Sequence, residues 1–342
     1  MYGLRIVVVG SAGAVGTEMI KTLERSKIPI RELIPADTEE NEGKPVVFRG
    51  REYRTIETVP EVFRGTDIAL FSAGAEASAE LAPIAVEEGA VVIDNSAQWR
   101  MDPTVPLVVP EVNIEAVQRH RGIIANPNCS TIQMLLVLGP LHRYYEVKRV
   151  VVSTYQAVSG SGLKAIEELK RQSIAFLQGE IDEAERHSVY PHRIAFNALP
   201  HIDVFMEEGY TKEEMKMVKE THKILDPKIR VCPTAVRIPV FRGHSEALNI
   251  EVENSFTIEE VVNILSTASG VKVVDDPTKA IYPIASEAEG KDNVFVGRIR
   301  RDPTLMHGLN LWVVSDNLRK GAALNAVQIA EALYNRMLTP AT

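Results

Sequence analysis

Apolar and polar residues alternate along the first third of the chain in blocks that predict strands and helices in turn. Residues 5–9, 67–72 and 90–94 are short apolar runs, typical of strands that are buried on both faces. Residues 17–25 and 77–88 show the apolar spacing of helices. Strands that alternate with helices in this way predict a parallel, doubly wound sheet.

A glycine-rich turn with the pattern G-x-x-G-x-x-G connects the first predicted strand to the first predicted helix. Glycines let backbone N–H groups approach an anion, and the helix N-terminus adds a favourable partial charge, so the turn suits a dinucleotide pyrophosphate. The pattern alone also fits a tight turn without a ligand, but the alternating elements around it favour the cofactor. The predicted cofactor contacts in this turn are Gly10, Ser11, Ala12, Gly13, Ala14, Val15 and Gly16.

An acidic residue follows the second predicted strand at the distance expected of a dinucleotide fold. Asp37 comes 21 residues after Gly16 (37 − 16), about where such folds place an acceptor for a ribose 2′-hydroxyl. Thr38, Glu39 and Glu40 continue the loop without an arginine, and the carboxylates would repel a 2′-phosphate. The loop therefore favours NAD over NADP, unless it is an acidic surface loop that turns away from the cofactor.

A cysteine lies at a predicted strand-to-helix junction in the sequence NPNCST. Residues 122–125 predict the strand and residues 132–141 the helix, with Cys129 between them. A helix N-terminus lowers the pKa of a thiol, and its N–H groups can stabilise an oxyanion. Ser130 and Thr131 are natural caps for the helix. A lone cysteine is more often a core residue, but these flanking residues predict a nucleophile.

A cysteine nucleophile needs a base, and His244 is the best placed of the eight histidines. It follows a strand-like run at 231–241 and lies between a glycine and a serine. No histidines and acids have the spacing of metal ligands, so no metal site is predicted. Residues 155–162 form a glycine-serine turn that is either a plain loop or faces a cofactor or anion.

Composition limits the partners and the compartment. The formal net charge is −8, so no global field attracts nucleic acid or an anionic membrane, and an anionic substrate needs local cations. No apolar run approaches the roughly 18 residues of a membrane span. The two cysteines, Cys129 and Cys232, are too few for a disulfide framework, and Cys232 is predicted to be structural. This count, and an N-terminus that enters a strand without a leader, predict the cytoplasm.

Six motifs in order from residue 10 to residue 326 resemble the aspartate-semialdehyde dehydrogenase family: GSAGAVG, NPNCST, TYQAVSGSG, ETHK, VRIPVFRGHSEA and DNLRKGAALNA. The resemblance implies reductive dephosphorylation of β-aspartyl phosphate, a step towards lysine, methionine and threonine. It also implies a small-molecule substrate, NADP as cofactor and a homodimer. The family commonly holds the NADP phosphate with a serine and an arginine, where this chain has residues 37–40 (DTEE). This departure leaves NAD possible or preferred.

The resemblance also implies roles for individual residues. Cys129 aligns with the nucleophile, His244 with the acid/base, and Gln156 with the residue that orients the thioester. The implied substrate contacts are Arg237 for the carboxylate, Glu220 for the amino group, and Arg100, Asn128 and Lys223 for the phosphate. The implied further cofactor contacts are Ser159, Gly160 and Asn317. From the residues alone, Glu220 and Lys223 could equally be solvated charges on a helix.

The predicted fold class is α/β, with a Rossmann-like dinucleotide-binding domain at residues 1–132 that the C-terminal segment 316–342 completes. Residues 133–315 are predicted to form an α+β catalytic and dimerisation domain with a mixed or antiparallel sheet. Two alternative functions remain. In N-acetyl-glutamyl-phosphate reductase a glycine typically stands at the position of Asn128, and its substrate would gain little from Glu220. A catalytically silent paralogue would usually have lost the cysteine or the histidine.

Overall fold

The computed structural model of the protein describes residues 3–337, which divide into two compact units. The described residues of the first unit are 3–128 and 322–337, and the second unit is Cys129–Gly321. The sequence predicts domain boundaries at residues 132 and 315. In the structure, residue 132 lies inside a helix and residue 315 is the last residue of a strand. Residues 1–2 and 338–342, the ends of the predicted dinucleotide domain, lie outside the described residues.

The first unit is built on a parallel sheet with the strand order β5-β2-β1-β6-β7-β8. Its strands are β1 (Leu4–Val9), β2 (Ile30–Asp37), β3 (Pro45–Phe48), β4 (Arg51–Arg54), β5 (Ile56–Glu57), β6 (Ile68–Phe71), β7 (Val91–Asp94) and β8 (Ile123–Ala125). Its helices up to this point are α1 (Ala14–Arg25), α2 (Ala75–Glu87) and α3 (Pro110–Asn113). β3 and β4 pair separately as an antiparallel hairpin. The chain changes direction across the sheet between β1 and β6, where doubly wound folds bind their ligands.

Both faces of β1 are covered, as its continuous apolar run predicts. Ile6 packs in a cluster with Met19 of α1, while the neighbouring Val7 packs with Ala82 of α2. All four side chains are fully buried. Burial of each larger apolar side chain contributes about 1.5–3 kcal/mol, which explains why this strand lies in the middle of the sheet.

The second unit is built on a mixed sheet with the strand order β10-β9-β11-β14-β13-β12. Its strands are β9 (Val147–Gln156), β10 (Arg230–Arg237), β11 (His244–Val252), β12 (Val271–Val273), β13 (Val294–Asp302) and β14 (Gly308–Ser315). Its helices are α4 (Cys129–Tyr145), α5 (Leu163–Leu177), α6 (Ile181–Ala184), α7 (Lys212–Ile224), α8 (Ile258–Thr267) and α9 (Ala285–Ala288). The two outer pairs are parallel and the central pairs antiparallel. The predicted fold class is confirmed, with a sheet of the mixed kind.

The last helix returns to the first unit. A π-helical segment, Arg319–Ala323, leads into α10 (Leu324–Met337). Ala330 and Leu333 of α10 belong to the same apolar cluster as Met19 and Leu23 of α1. Within residues 3–337, no helix combines the length and the apolar character that a membrane span requires.

Element ends differ from the prediction near the candidate site. The strand predicted at 231–241 ends at Arg237, because Pro239 has no N–H for a sheet ladder. His244 therefore begins β11 instead of following a strand. Helix α4 begins at Cys129, so Ser130 and Thr131 lie inside its first turn and do not cap it.

Candidate active site

Three strand ends meet at one edge of the sheet in the second unit. β9 and β10 are parallel, and their last residues, Gln156 and Arg237, are paired. β11 runs antiparallel to β9, so its first residue, His244, lies at the same edge. His244 is paired in turn with Ser315, the last residue of β14. The sheet topology thus gathers residues that are far apart in the sequence.

His244 is completely buried and makes one hydrogen bond at its ring. Its Nδ1 accepts from the backbone N–H of Ala157 at 3.0 Å, and its Nε2 is buried without a hydrogen-bond partner. Burial, and next the positive charge of Arg237, lower the pKa of His244 well below its ordinary value. Both effects disfavour the protonated imidazolium form.

Arg237 is a buried cation with an unused donor. Its side chain is 4% exposed, and its Nη1 donates to the carbonyl oxygen of Ala157 at 2.8 Å. Its Nε is buried without a hydrogen-bond partner, and the guanidinium lies 5.9 Å from the ring centre of Tyr190. A buried cation and an unsatisfied donor are costly in isolation, so this site suits an anionic ligand.

Gly160 lies against both of these side chains. It is exposed and belongs to the 3₁₀ turn Val158–Ser161, which follows β9. A Cβ atom at Gly160 would lie 2.9 Å from Nη1 of Arg237 and 3.3 Å from Nε2 of His244. Any larger residue would press on the two nitrogens. Glycine therefore keeps the space beside them open.

Asn317 joins the two turns that flank His244. Its Nδ2 donates to Oγ of Ser159 at 2.9 Å, and its Oδ1 accepts from the N–H of Gly243 at 2.9 Å. Asn317 and Ser159 are both 2% exposed. Ser159 and Asn317, which the sequence predicts as cofactor contacts, thus fix the backbone next to His244.

Cys129 belongs to the same cluster. It is half-buried and is the first residue of α4, where the partial positive charge of the helix terminus favours a thiolate. A Cβ atom at Gly321 would lie 2.9 Å from Cβ of Cys129 and 3.7 Å from Cβ of Asn317. Contacts therefore run from Cys129 through Gly321 and Asn317 to the turn that precedes His244.

The remaining predicted residues of this unit lie on β9 and α7. Gln156 is 1% exposed, and its Nε2 donates to Thr154 Oγ1 and Glu213 Oε1, both at 3.3 Å. Glu220 and Lys223 lie one turn apart on α7, with Glu220 1% exposed and Lys223 partly buried. The alternative that the charge of Glu220 is simply solvated is therefore wrong.

In the first unit, the glycine-rich turn uses several of its own N–H groups. Gly10 and Ser11 both donate to the carbonyl of Ala36, and Gly13 donates to the carbonyl of Gly10. Helix α1 begins at Ala14, and no side chain caps it at Gly13. The first N–H groups of a helix have no partners within it, so the start of α1 offers donors to an anion. The turn fits a pyrophosphate mainly through residues 14–16.

Asp37 lies against this turn. Its Oδ2 accepts from the N–H of Ala12 at 2.8 Å, and its Oδ1 accepts from the N–H of Thr38 at 2.9 Å and from Nδ2 of Asn41 at 2.7 Å. Asp37 is 7% exposed. The carboxylate thus ties the end of β2 to the turn, with a short acidic 3₁₀ segment, Glu39–Asn41, beside it.

Arg100 and Asn128 follow two adjacent parallel strands of the first unit. Arg100 comes after β7, is 8% exposed, and donates from Nη2 to the carbonyl of Asn95 at 2.7 Å. Asn128 comes after β8 and is 6% exposed. Both therefore lie beyond carboxyl ends of strands, the usual location of ligands in open α/β sheets.

Sequence reasoning missed Ala157, Gly321 and Tyr190. Ala157 acts through its backbone N–H and carbonyl, which its side chain does not reveal. Gly321 lies inside the motif DNLRKGAALNA. A glycine for which the motif has no assigned role is the sequence feature that could have pointed to it. Tyr190 lies in a segment without periodicity, and nothing in the sequence relates it to Arg237.

The chain matches both semialdehyde dehydrogenase domain families. The NAD binding domain matches residues 5–120, and the dimerisation domain matches residues 138–320. Aspartate-semialdehyde dehydrogenase of Aquifex aeolicus is 55% identical over 341 residues, which cover 98% of this chain and 99% of the relative. The chain belongs to the aspartate-semialdehyde dehydrogenase family.

Two further relatives of the family agree. Aspartate-semialdehyde dehydrogenase of Bacillus subtilis is 50% identical, with 97% of each chain covered. The crystal structure of aspartate semialdehyde dehydrogenase II from Vibrio cholerae, complexed with ASA, superposes with a TM-score of 0.94 at 46% identity and covers 98% of this chain and 99% of that one. These relatives support aspartate-semialdehyde dehydrogenase and not N-acetyl-glutamyl-phosphate reductase. As a member of this family, the chain is an NAD(P)-dependent oxidoreductase of amino-acid biosynthesis.

Proposed function

We propose that this chain converts L-aspartyl-4-phosphate to L-aspartate-4-semialdehyde by NAD(P)H-dependent reductive dephosphorylation. The observation that carries the proposal is the pair of buried nitrogens without partners, Nε of Arg237 and Nε2 of His244, in one cluster with Cys129. A thiol nucleophile, a buried cation and a buried hydrogen-bond donor suit an acyl phosphate that carries a carboxylate. Family membership supplies the specific substrate.

The proposed roles follow from charge and burial. Arg237 binds the α-carboxylate, for which its Nε is available, and the buried carboxylate of Glu220 binds the α-ammonium group. Arg100, Asn128 and Lys223 contact the phosphate, and Gln156 orients the acyl group; these four roles rest on the resemblance.

Cys129 carries the covalent chemistry. Its sulfur bonds to the acyl carbon, the bond from that carbon to the bridging phosphate oxygen breaks, and a thioester remains. A nicotinamide cofactor, when bound, supplies a hydride. When the carbonyl of the aldehyde then forms, the carbon–sulfur bond breaks and the cysteine is regenerated. His244 stabilises the negative charge that develops on the substrate oxygen.

Within this function we propose that the enzyme uses NAD in preference to NADP. Asp37 accepts one hydrogen bond from Ala12 of the glycine-rich turn and others from Thr38 and Asn41, and Glu39 and Glu40 follow it. Carboxylates at this place suit a ribose 2′-hydroxyl and repel a 2′-phosphate. The proposal also includes a homodimer, which the dimerisation domain supports, and a cytoplasmic location.

The test is phosphate-dependent oxidation of L-aspartate-4-semialdehyde by the purified protein, with NAD and NADP in parallel. We expect turnover with the aspartyl substrate, little with N-acetyl-glutamate semialdehyde, and a higher kcat/KM with NAD. An Asp37→Ser variant should reduce the difference between the kcat/KM values measured with NAD and with NADP. No turnover from folded protein with either cofactor would exclude the proposed reaction, and a higher kcat/KM with NADP would exclude the cofactor assignment alone.

A further inference from the structure

Two chain segments that flank the active site leave the sheet at the same place. His244 of β11 is paired with Ser315 of β14, and this pair is the last one of the ladder between the two strands. The residue before His244, Gly243, has a φ of +94°, a left-handed conformation that glycine adopts without strain and that interrupts the extended chain. The backbone ladder therefore does not hold the two segments together beyond this pair.

Side chains connect the two segments beyond the end of the ladder. Oδ1 of Asn317 accepts from the N–H of Gly243 at 2.9 Å. One residue further out, Nε of Arg242 donates to Oδ1 of Asp316 at 2.9 Å, and Nη2 of Arg242 lies 2.8 Å from Oδ2 of Asp316. Two close contacts between a planar guanidinium and a carboxylate give a pair with a defined geometry. Three consecutive residues of one segment thus contact three consecutive residues of the other.

The carboxylate of Asp316 also binds three backbone N–H groups. Its Oδ1 accepts from the N–H groups of Leu318 at 3.0 Å and Arg319 at 3.2 Å, and its Oδ2 accepts from the N–H of Gly290 at 2.7 Å. The side chain of Asp316 is 0% exposed, and that of Arg242 is 19% exposed. A buried carboxylate is tolerated when hydrogen bonds and an opposite charge replace its hydration. Asp316 has both, so it is a fixed point to which the more exposed Arg242 is attached.

The segment that ends at this attachment also supports the 3₁₀ turn at residues 158–161. The N–H groups of Val158 and Ser159 donate to the carbonyl oxygens of Val240 and Phe241, at 2.9 and 3.1 Å respectively. A movement of the segment would therefore move the turn, whose glycine lies against the buried arginine and histidine of the site. A single attachment thus restrains both the start of β11 and the turn.

We propose that the ion pair of Arg242 and Asp316 positions His244 relative to the turn at residues 158–161. The two residues act through the backbone that they hold, and His244 keeps the acid/base role that the resemblance implies. The inference rests on the proposed function and deepens it, because the turn carries residues that are predicted to contact the cofactor. Displacement of a positioned group by about 1 Å can lower a rate about 10²-fold, so the ion pair should affect kcat more than KM.

Substitutions of Arg242 test the split between kcat and KM. Arg242→Ala removes both contacts with Asp316, whereas Arg242→Lys keeps the charge but not the fork of donors. We expect kcat to fall about 10²-fold in the first variant and about tenfold in the second, with little change in KM for L-aspartate-4-semialdehyde. Asp292→Asn is the matched control, because it removes the ion pair with Arg319, which leaves the segment before His244 untouched. A rise in KM at unchanged kcat, or an equal loss of kcat in the control, would overturn the proposal.

Chemical rescue separates positioning from a loss of stability. Because the side chain of Arg242 is partly exposed, its removal leaves a space beside Asp316 that free guanidinium can enter. We expect millimolar guanidinium to raise kcat of Arg242→Ala about tenfold and urea, which is planar but uncharged, to have no effect. In Arg242→Ala/Asp316→Asn the rescue should be lost, because the carboxylate that binds the cation is gone. A loss of kcat that guanidinium leaves unchanged in Arg242→Ala would mean that the segment is disordered, and the proposal would be wrong.

An NMR measurement needs no turnover and therefore remains decisive if the proposed reaction fails. The protein is labelled with ¹³C-histidine, and the ring signal of His244 is identified by its loss in His244→Gln. We expect this signal to shift in Arg242→Ala, to return towards its parental position with guanidinium, and to stay unchanged in Asp292→Asn. A signal that is the same in the parent and in Arg242→Ala would show that the ion pair does not position His244. Absence of turnover in the parent would instead exclude the proposed function alone.

Discussion

The two units build their functional groups in opposite ways. In the first unit, the glycine-rich turn is one continuous stretch, Gly10 to Gly16, and its N–H groups are set by hydrogen bonds to nearby backbone and to Asp37. In the second unit, the cluster around His244 draws on β9, β10, β11, the end of β14 and the start of α4. The first is a local structure, and the second exists only when the sheet is complete. Substitutions in the glycine-rich turn should therefore affect cofactor binding, and substitutions in the cluster around His244 should affect the chemical steps.

The largest expected effect is at Cys129. Cys129→Ala removes the atom that bonds to the acyl group, so turnover should fall on the order of 10⁴-fold or more. Cofactor affinity, measured by quenching of tryptophan fluorescence, should change little. Cys232→Ser is the control, because this second cysteine is exposed and should be dispensable. Activity of Cys129→Ala above about 1% of the parent would exclude a thioester mechanism.

Gly160→Ala should have the next largest effect. The added Cβ would lie 2.9 Å from Arg237 Nη1 and 3.3 Å from His244 Nε2, so one of these groups must move by several tenths of an ångström. Displacement of a positioned group by about 1 Å can lower a rate about 10²-fold, and we expect kcat to fall by about that factor. Gly74→Ala is the matched control, because Gly74 has an ordinary φ of −66° and open space around it. If both variants retain parental kcat, the turn does not position the reacting groups.

The contrast between the units also explains how much the sequence predicts. The fold class, and the role of Cys129, follow from local signals: the strand–turn–helix around Gly10 to Gly16 and the junction around the cysteine. His244 needs the family resemblance, because its neighbours come from strands nearly 90 residues away, as with Ala157 (244 − 157 = 87). Ala157 and Gly321 act by backbone position and by lack of a side chain, which no side-chain chemistry reveals. The sequence also cannot show that Asp37 accepts a hydrogen bond from the turn itself through one of its oxygens.

In the first unit, Gly16 and Gly13 give a comparison within a single turn. A Cβ at Gly16 would lie 2.1 Å from the carbonyl oxygen of Gly10, a backbone atom, whereas a Cβ at Gly13 would lie 3.3 Å from the same oxygen. Gly16→Ala must therefore open the turn and should destabilise the protein by about 1–3 kcal/mol and weaken NAD binding. Gly13→Ala should have nearly the same stability and the same affinity for NAD as the parent. Equal cofactor affinity and equal unfolding midpoints for the two variants would contradict this view of the turn.

The assembled site of the second unit adjoins a buried carboxyl group. Glu246 lies two residues after His244 on β11 and is 0% exposed. Burial raises the pKa of Glu246 well above its ordinary value of 4.5, although the amide of Gln133 opposes the shift. Gln133 lies one turn after Cys129 on α4 and accepts from Oγ of Ser315 at 2.6 Å. These polar side chains thus share the elements that carry the cysteine and the histidine.

The smallest expected effect is a change in how stability depends on pH. Because burial raises the pKa of Glu246 in the folded protein, we expect it to remain protonated there at pH values above about 4.5, where it ionises in the unfolded chain. The unfolded state then binds fewer protons, so Glu246 lowers the free energy of unfolding progressively as pH rises from 4.5 towards the raised pKa, by at most about 1.4 kcal/mol per pH unit. Glu246→Gln cannot ionise. Its stability relative to the parent should therefore increase from pH 5 to pH 7 in urea unfolding, with Glu251→Gln, a more exposed position on the same strand, as the control for loss of a carboxyl group. A difference between Glu246→Gln and the parent that stays constant over this range would mean that Glu246 is ionised in the folded protein.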